Sequence, residues 1–358
     1  MASDSQNQDA VLGMNAVPMK DWLKECNPEQ AGFFLPILDG RSESVVSQQG
    51  QLSHPSHRIV PMPIEEWKQR SFELPARHVP FLVLVESKDA AAASEFLLGP
   101  KDTPSKTRKR PQKPWRVQAI LTADTITPDE IEKSNFTIHE EKSLQSLQGF
   151  PLPRLWEPDP MIKNGLLPTL RQEIQDHDGS DPARILDLAS GAGRDVVFLA
   201  EELLSKQKVE TFNNFVVEAL DHRYNEKETS IVNGFFERRR IESVTKCIRM
   251  DLSQWSTLEP HLNSTVKALY CVRFWKPSLV EALASSPLLS PGTLFAISHF
   301  CKPHEGAKWQ FAHPSEKTVL ERNQLSNLFE QDWDILHDQI AMDSDHGRTM
   351  IHFVAKKK

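Results

Sequence analysis

The stretch Ile185-Leu186-Asp187-Leu188-Ala189-Ser190-Gly191-Ala192-Gly193-Arg194-Asp195 decides the fold. It reads as a buried strand ending beside an acid, a turn of small residues, and the start of a helix whose apolar positions continue through RDVVFLAEELLSK (194–206). Glycine at 191 and 193 lets backbone approach a ligand closely, and the helix start offers free N–H groups and the positive end of its dipole. The same alternation continues downstream. NFVVEALD (214–221) is a strand ending in Asp221, ETSIVNGFFERRR (228–240) a helix, and CIRMDLS (247–253) a strand ending near Asp251. VKALYCV (266–272), the helix PSLVEALASS (277–286) and GTLFAISHF (292–300) follow. DWDILHDQ (332–339) and RTMIHFVAK (348–356) flank the polar turn MDSDHG, so they are expected to close a mostly parallel α/β sheet with an antiparallel hairpin. Upstream, NGLLPTLRQEIQDH (164–177) is amphipathic and helical.

Three acids at successive strand ends beside one glycine turn describe a cofactor crevice. Asp221 stands where a carboxylate accepts both ribose hydroxyls at the carboxyl edge of such a sheet. The turn lacks both GxxxxGK[ST] and GxGxxG, which argues against a phosphate loop and a dinucleotide site, and Asp187 before the glycines suits a cationic ligand.

The combination DLASGAGRD, ALD and RMDLS resembles the cofactor site of S-adenosylmethionine-dependent methyltransferases with the Rossmann-like fold, over roughly residues 155–358. The first glycine of the family's turn is replaced by Ala189, which is expected to be tolerated with ordinary backbone angles. GAGRDVVFLA, VRFWKP (272–277), SPGTLFAISHF and RNQLSNLF are similar to the tellurite-resistance type of small-molecule methyltransferase, and RLWEPDP (154–160) resembles the entry segment of related enzymes. The resemblance implies that Asp187, Gly191, Gly193 and Asp221 hold the methionine and ribose parts and Asp251 and Leu252 the adenine, with Ala189, Ser190, Arg194, Asp195, His222 and Cys271 also among the cofactor-binding residues. It places Arg273 opposite the methyl group, where it would bind an anionic acceptor, and Trp156 and Trp275 as pocket walls. The implied reaction is methyl transfer to a small, soft or anionic acceptor. The rival readings are a non-catalytic or cofactor-sensing scaffold and a protein or nucleic-acid methyltransferase.

The first part of the chain alternates on a smaller scale. Ala16–Lys24 reads as a short helix, PILDGR (36–41) as a strand end, and PMPIEEWKQR (61–70) as a turn running into a helix. PFLVLVES (80–87) and WRVQAIL (115–121) read as strands, AAAASEFLL (90–98) as a helix, and TPDEIEKS as a helix start. PILDGRSES, the segment before VPMP, PFLVLVES and WRVQAIL together resemble a rhodanese-like domain over about residues 15–135. A working sulfurtransferase of that kind needs a thiolate in the loop after the central strand, where this chain has Glu86, Ser87 and Lys88; its one thiol in this part, Cys26, lies far upstream. The resemblance therefore implies an inactive domain that stabilises, covers the pocket or binds a protein partner.

Composition bounds the rest. At 358 residues the chain exceeds twice the usual domain of about 150, and two domains are expected: a disordered 1–14, a first domain over 15–148, a proline-rich linker over 149–163 and the methyltransferase domain over 164–358. The net charge of −7 argues against nucleic acid as partner. No apolar run reaches the roughly 20 residues of a membrane span and the N-terminus lacks a signal-peptide pattern, so a cytoplasmic protein is expected. KTRKRPQK (106–113), inside the basic run 101–116, offers a nuclear-localisation reading, and a solvated loop is the plainer one. Four scattered cysteines form no CxxC pair, and the spacing of His299, His304 and His313 gives no metal site.

Overall fold

The computed structural model describes residues 16–25, 35–54, 57–99, 113–123, 136–139, 151–177, 181–205, 214–343 and 347–358, with side chains of 23–25 and 138–139 excepted. The readings of 1–14, Cys26, the basic run to residue 112 and TPDEIEKS lie outside the described residues. The chain divides into two compact units, Met1–Gly149 with Pro153–Glu157, and Phe150–Leu152 with Pro158–Lys358.

In the first unit, β1 (Val17–Pro18), β2 (Ile37–Asp39), β4 (Ile59–Pro61), β5 (Phe81–Val85) and β6 (Val117–Thr122) form a parallel sheet in the order β1-β6-β5-β2-β4. A separate antiparallel pair joins β3 (Gln51–Ser53) to β7 (Thr137–His139). The central strand is β5, and all five of its residues are buried, which explains its unbroken apolar run. Trp67 anchors the core, its Nε1 donating to the Met62 carbonyl at 2.7 Å. A Cβ at Gly40 would stand 2.5 Å from that indole, so the position has no room for a side chain. The segment read as a helix over 61–70 forms only short 3-10 turns at Ile64–Glu66 and Ser71–Glu73.

The second unit is a doubly wound α/β sheet of seven strands. Its strands are β8 (Ala183–Leu188), β9 (Phe215–Asp221), β10 (Thr245–Arg249), β11 (Val266–Val272), β12 (Leu294–Phe300), β13 (Trp333–Met342) and β14 (Thr349–Lys357). Their order is β10-β9-β8-β11-β12-β14-β13, with only β14 running against the others. From β8 the chain winds outward through β9 and β10, then returns to β11 on the other side of β8. This places the topological switch point between β8 and β11, where open α/β sheets leave a crevice outside their carboxyl ends.

Helical packing fixes that edge. The helix Arg194–Leu204 buries seven residues, one of them Glu201, whose carboxylate pairs with Arg239 at 2.6 Å. Arg239 also donates to the Leu152 carbonyl at 2.7 Å, so a cation and an acid in the interior each have partners. The helix expected from residue 164 begins earlier. Met161–Leu166 is a π-helix that runs into Leu167–Gln175, because Pro160 sits at its start, where its missing N–H costs nothing. Gly165 lets this segment lie close to β14, since a Cβ there would be 3.1 Å from Val354.

Candidate functional site

The glycine turn lies at the carboxyl end of β8, beside the switch point. Gly191 (φ 62°) and Gly193 (φ 76°) both occupy the left-handed region. A Cβ on Gly193 would come within 3.3 Å of Phe236 and Val232, so this glycine permits close packing of two helices. Ala189 also has positive φ, 65°, which corrects the expectation of ordinary angles. An L-residue there carries a cost of about 1–2 kcal/mol that glycine avoids.

Asp221 closes the turn from the neighbouring strand. Its buried carboxylate accepts the Gly191 N–H at 2.9 Å and the Arg223 N–H at 2.9 Å, with the Arg223 guanidinium at 3.2 Å and His222 Nδ1 at 3.3 Å. Burial opposes its ionisation, but the backbone and side chain of Arg223 and the Gly191 N–H outweigh that and hold its pKa below the usual carboxylate value. Arg223 lies across the turn, 3.1 Å from where a Gly191 Cβ would stand, and its side chain is 60% exposed, free enough to swing aside.

Behind the turn sit acids with too few cations. Burial pushes the Asp187 carboxyl well above its ordinary value, and nearby Asp195 pushes it further. The hydroxyls of Ser190 and Tyr270 face it and offset part of this without closing hydrogen bonds of ordinary geometry. The Asp195 pKa is raised to about 6, chiefly by enclosure and then by Asp159, although Asp195 accepts the Asp159 N–H at 3.1 Å. Asp159 is itself fixed, accepting from Met161 N at 2.9 Å and from Ser298 Oγ at 2.9 Å. Three carboxyl groups thus crowd the crevice, and among the described residues the buried hydroxyls of Ser190, Tyr224 and Tyr270 close no hydrogen bond of ordinary geometry. Such an arrangement favours a polar ligand carrying positive charge.

The remaining sequence candidates divide. β10 ends at Arg249, in register with Asp221, so Asp251 lies beyond the strand rather than at its end; it is exposed and accepts the Ser253 N–H at 2.9 Å. Leu252 is buried in the main core, as is Cys271, whose thiol burial makes hard to ionise. Arg194 moderates the charge on Asp195. Arg273 follows β11 with φ 56°, its N–H donating to the Ser298 carbonyl at 2.7 Å and its guanidinium to Asp343 at 3.2 Å. Trp275 packs on the core with its ring 6.5 Å from that of His299. His299 is buried and neutral, its pKa lowered to about 4 by burial, with its Nε2 on the Thr318 carbonyl at 2.8 Å. Trp156 belongs to the first unit, where it is 3% exposed beneath the Arg154 guanidinium. Asp159 escaped the sequence reading because it sits among prolines in a segment taken for a linker. The available signal was its place just before a helix start, where an acid caps free N–H groups.

Fold and site together define a doubly wound α/β domain with a glycine turn and clustered acids at its topological switch point. No family model matches this chain, and no curated protein matches it. Among solved structures it is similar to the 1,6-didemethyltoxoflavin-N1-methyltransferase of Burkholderia thailandensis, at 16% identity over 56% of this chain and 81% of that one, with a TM-score of 0.35. It is also similar to the geranyl diphosphate C-methyltransferase of Streptomyces coelicolor A3(2), at 11% identity over 52% and 78%, TM-score 0.38. A third is the cyclase SpnF, at 10% identity over 53% and 80%, TM-score 0.38. No helix among the described residues is long and apolar enough to cross a membrane.

Proposed function

We propose that the second unit binds S-adenosylmethionine at the glycine turn and transfers its methyl group to a small anionic acceptor. The observation that carries this reading is the crowding of the buried Asp187 and the half-buried Asp195 and Asp159 beside the turn, an excess of acid that a sulfonium and an ammonium would neutralise. Asp221 supplies the ribose acceptor once Arg223 swings off it, and the turn glycines keep backbone close to the cofactor. The exposed Asp251 would meet the adenine, with Leu252 packed in the core next to it. When bound, the cofactor supplies an electrophilic methyl carbon whose departure leaves a neutral thioether. The chain's own contribution is alignment, which accounts for much of the rate in such a displacement. Arg273 stands past β11 within electrostatic reach of Asp195, where it draws an anion toward the methyl group. The likeness of VRFWKP and RNQLSNLF to the tellurite-resistance type agrees with a small acceptor.

In the same reading the first unit is a rhodanese-like domain without sulfurtransferase activity. Its central strand β5 leads directly into Glu86, whose carboxylate accepts from Ser42 Oγ at 3.1 Å and pairs with Lys88 at 3.1 Å. A carboxylate here repels an anionic sulfur donor, and no thiol occupies the loop. Thiosulfate-to-cyanide transfer is expected at background.

Titration calorimetry tests the cofactor reading. Asp221→Ala removes a charged acceptor of hydrogen bonds and should cost about 1.5–3 kcal/mol of cofactor affinity, about ten- to a hundredfold in Kd. No heat and no thermal shift with millimolar cofactor would sink the reading.

A further inference from the structure

The carboxyl ends of β11 and β12 carry more than the single arginine the methyl-transfer reading uses. Phe300 ends β12 and is 6% exposed. The Arg348 guanidinium lies 4.4 Å from its ring centre and that of Arg273 5.8 Å, while Trp309 meets it edge-on at 6.3 Å. Phe311 stands 5.0 Å from Trp309 and remains 38% exposed.

Charge in this cluster is unevenly satisfied. Arg348 is fully engaged: Nε and Nη2 donate to Asp343 at 3.0 and 2.6 Å, and Nη1 donates to the His313 carbonyl at 3.1 Å. Asp343, its side chain 1% exposed, therefore offsets Arg348 and spares only one contact, at 3.2 Å, for Arg273. Among the described residues the Nε and Nη1 groups of Arg273 have no partner, and its side chain is 47% exposed. Its backbone is held in the left-handed region at φ 56°, a strain typical of residues placed for function. A guanidinium with open donors thus stands beside a half-open aromatic wall.

We propose that the acceptor recognised here is a flat aromatic carboxylate, with its anionic group on the open donors of Arg273 and its ring against Trp309 and Phe311. This rests on the methyl-transfer reading and narrows its substrate class. Charge alone would admit any small oxyanion; the exposed ring of Phe311 beside Trp309 adds a surface that rewards a planar apolar body. Asp343 and Arg348 act as positioning residues that hold the Arg273 guanidinium over Phe300.

The test is calorimetry on the full chain with saturating S-adenosylhomocysteine, using 1-naphthoate, cyclohexanecarboxylate and tellurite as probes. The expected result is naphthoate binding about tenfold tighter than cyclohexanecarboxylate, which has the same charge without the flat ring, and tighter than tellurite. Phe311→Ala, at an exposed position, should weaken naphthoate by about two- to tenfold and leave tellurite unchanged. Arg273→Lys keeps the charge, loses the planar fork, and should weaken both carboxylates. Equal affinity for the two carboxylates, preference for tellurite, or naphthoate binding indifferent to Phe311→Ala overturns the proposal. Heat from S-adenosylhomocysteine alone is read first: its presence without naphthoate binding refutes this inference only, and its absence refutes the methyl-transfer reading beneath it.

Discussion

Replacing Asp195 with Asn should make the protein more stable while weakening cofactor binding. The Asp195 pKa of about 6, against an ordinary 3.8, means that keeping the group ionised costs up to about 3 kcal/mol in the fold. Asp195 is only partly buried by area, and solvent screening reduces the figure to about 1–2 kcal/mol. Because the folded pKa is raised, the folded chain holds this proton more tightly than the unfolded chain between about pH 4 and 6. Stability is therefore lost as pH rises through that window, and the full cost is present above it. Asn pays no such cost and can still accept the Asp159 N–H that Asp195 receives at 3.1 Å. Equilibrium urea unfolding without cofactor should show the variant ahead of the wild type by about 1–2 kcal/mol at pH 7.5, with the gap about halved at pH 5 and nearly closed at about pH 3.5. A variant that is destabilised, or whose advantage is the same at all these pH values, would refute the view that these acids are held at electrostatic cost.

Two further substitutions probe the same edge of the sheet. Ala189→Gly should raise stability by up to about 1 kcal/mol, since relief of the positive φ exceeds the extra freedom glycine gives the unfolded chain; a lowered unfolding midpoint would contradict this. Glu201→Ala leaves Arg239 buried with the Leu152 carbonyl but without its carboxylate, and should cost about 3–5 kcal/mol in the same unfolding assay; a loss below 1 kcal/mol would show that the pair is not enclosed.

The architecture was legible wherever burial imposes a pattern. The apolar runs ending at Leu188, Asp221 and Val272 gave β8, β9 and β11, and MDSDHG between two alternating segments gave the hairpin. The acids Asp187 and Asp221 were legible for the same reason, since a charge at the end of a buried strand stands out. Strand ends were less so: Met250 and Leu252 are buried although β10 stops at Arg249, so an apolar run carried the reading past the last paired residue to Asp251. Backbone strain at Ala189 and Arg273 leaves no trace in residue type, because neither residue favours the left-handed region. Asp159 acquires its role through Ser298 and Asp195, contacts distant in sequence that no local pattern carries. In the first unit, PMPIEEWKQR has helix-forming residues but folds as short turns, with Trp67 drawn into the core.

The antiparallel β14 lies between β12 and β13, so β13 reaches the sheet only through a strand that follows it in the chain. All seven residues of β12 are buried, and β14 covers its otherwise open edge. A polypeptide stopped before Thr349 would present β12 as a flat apolar edge and leave β13 with no neighbour, a template for pairing between chains. Frameshift or nonsense changes that remove β14 should therefore yield aggregates cleared by cellular quality control, rather than a folded but shortened chain.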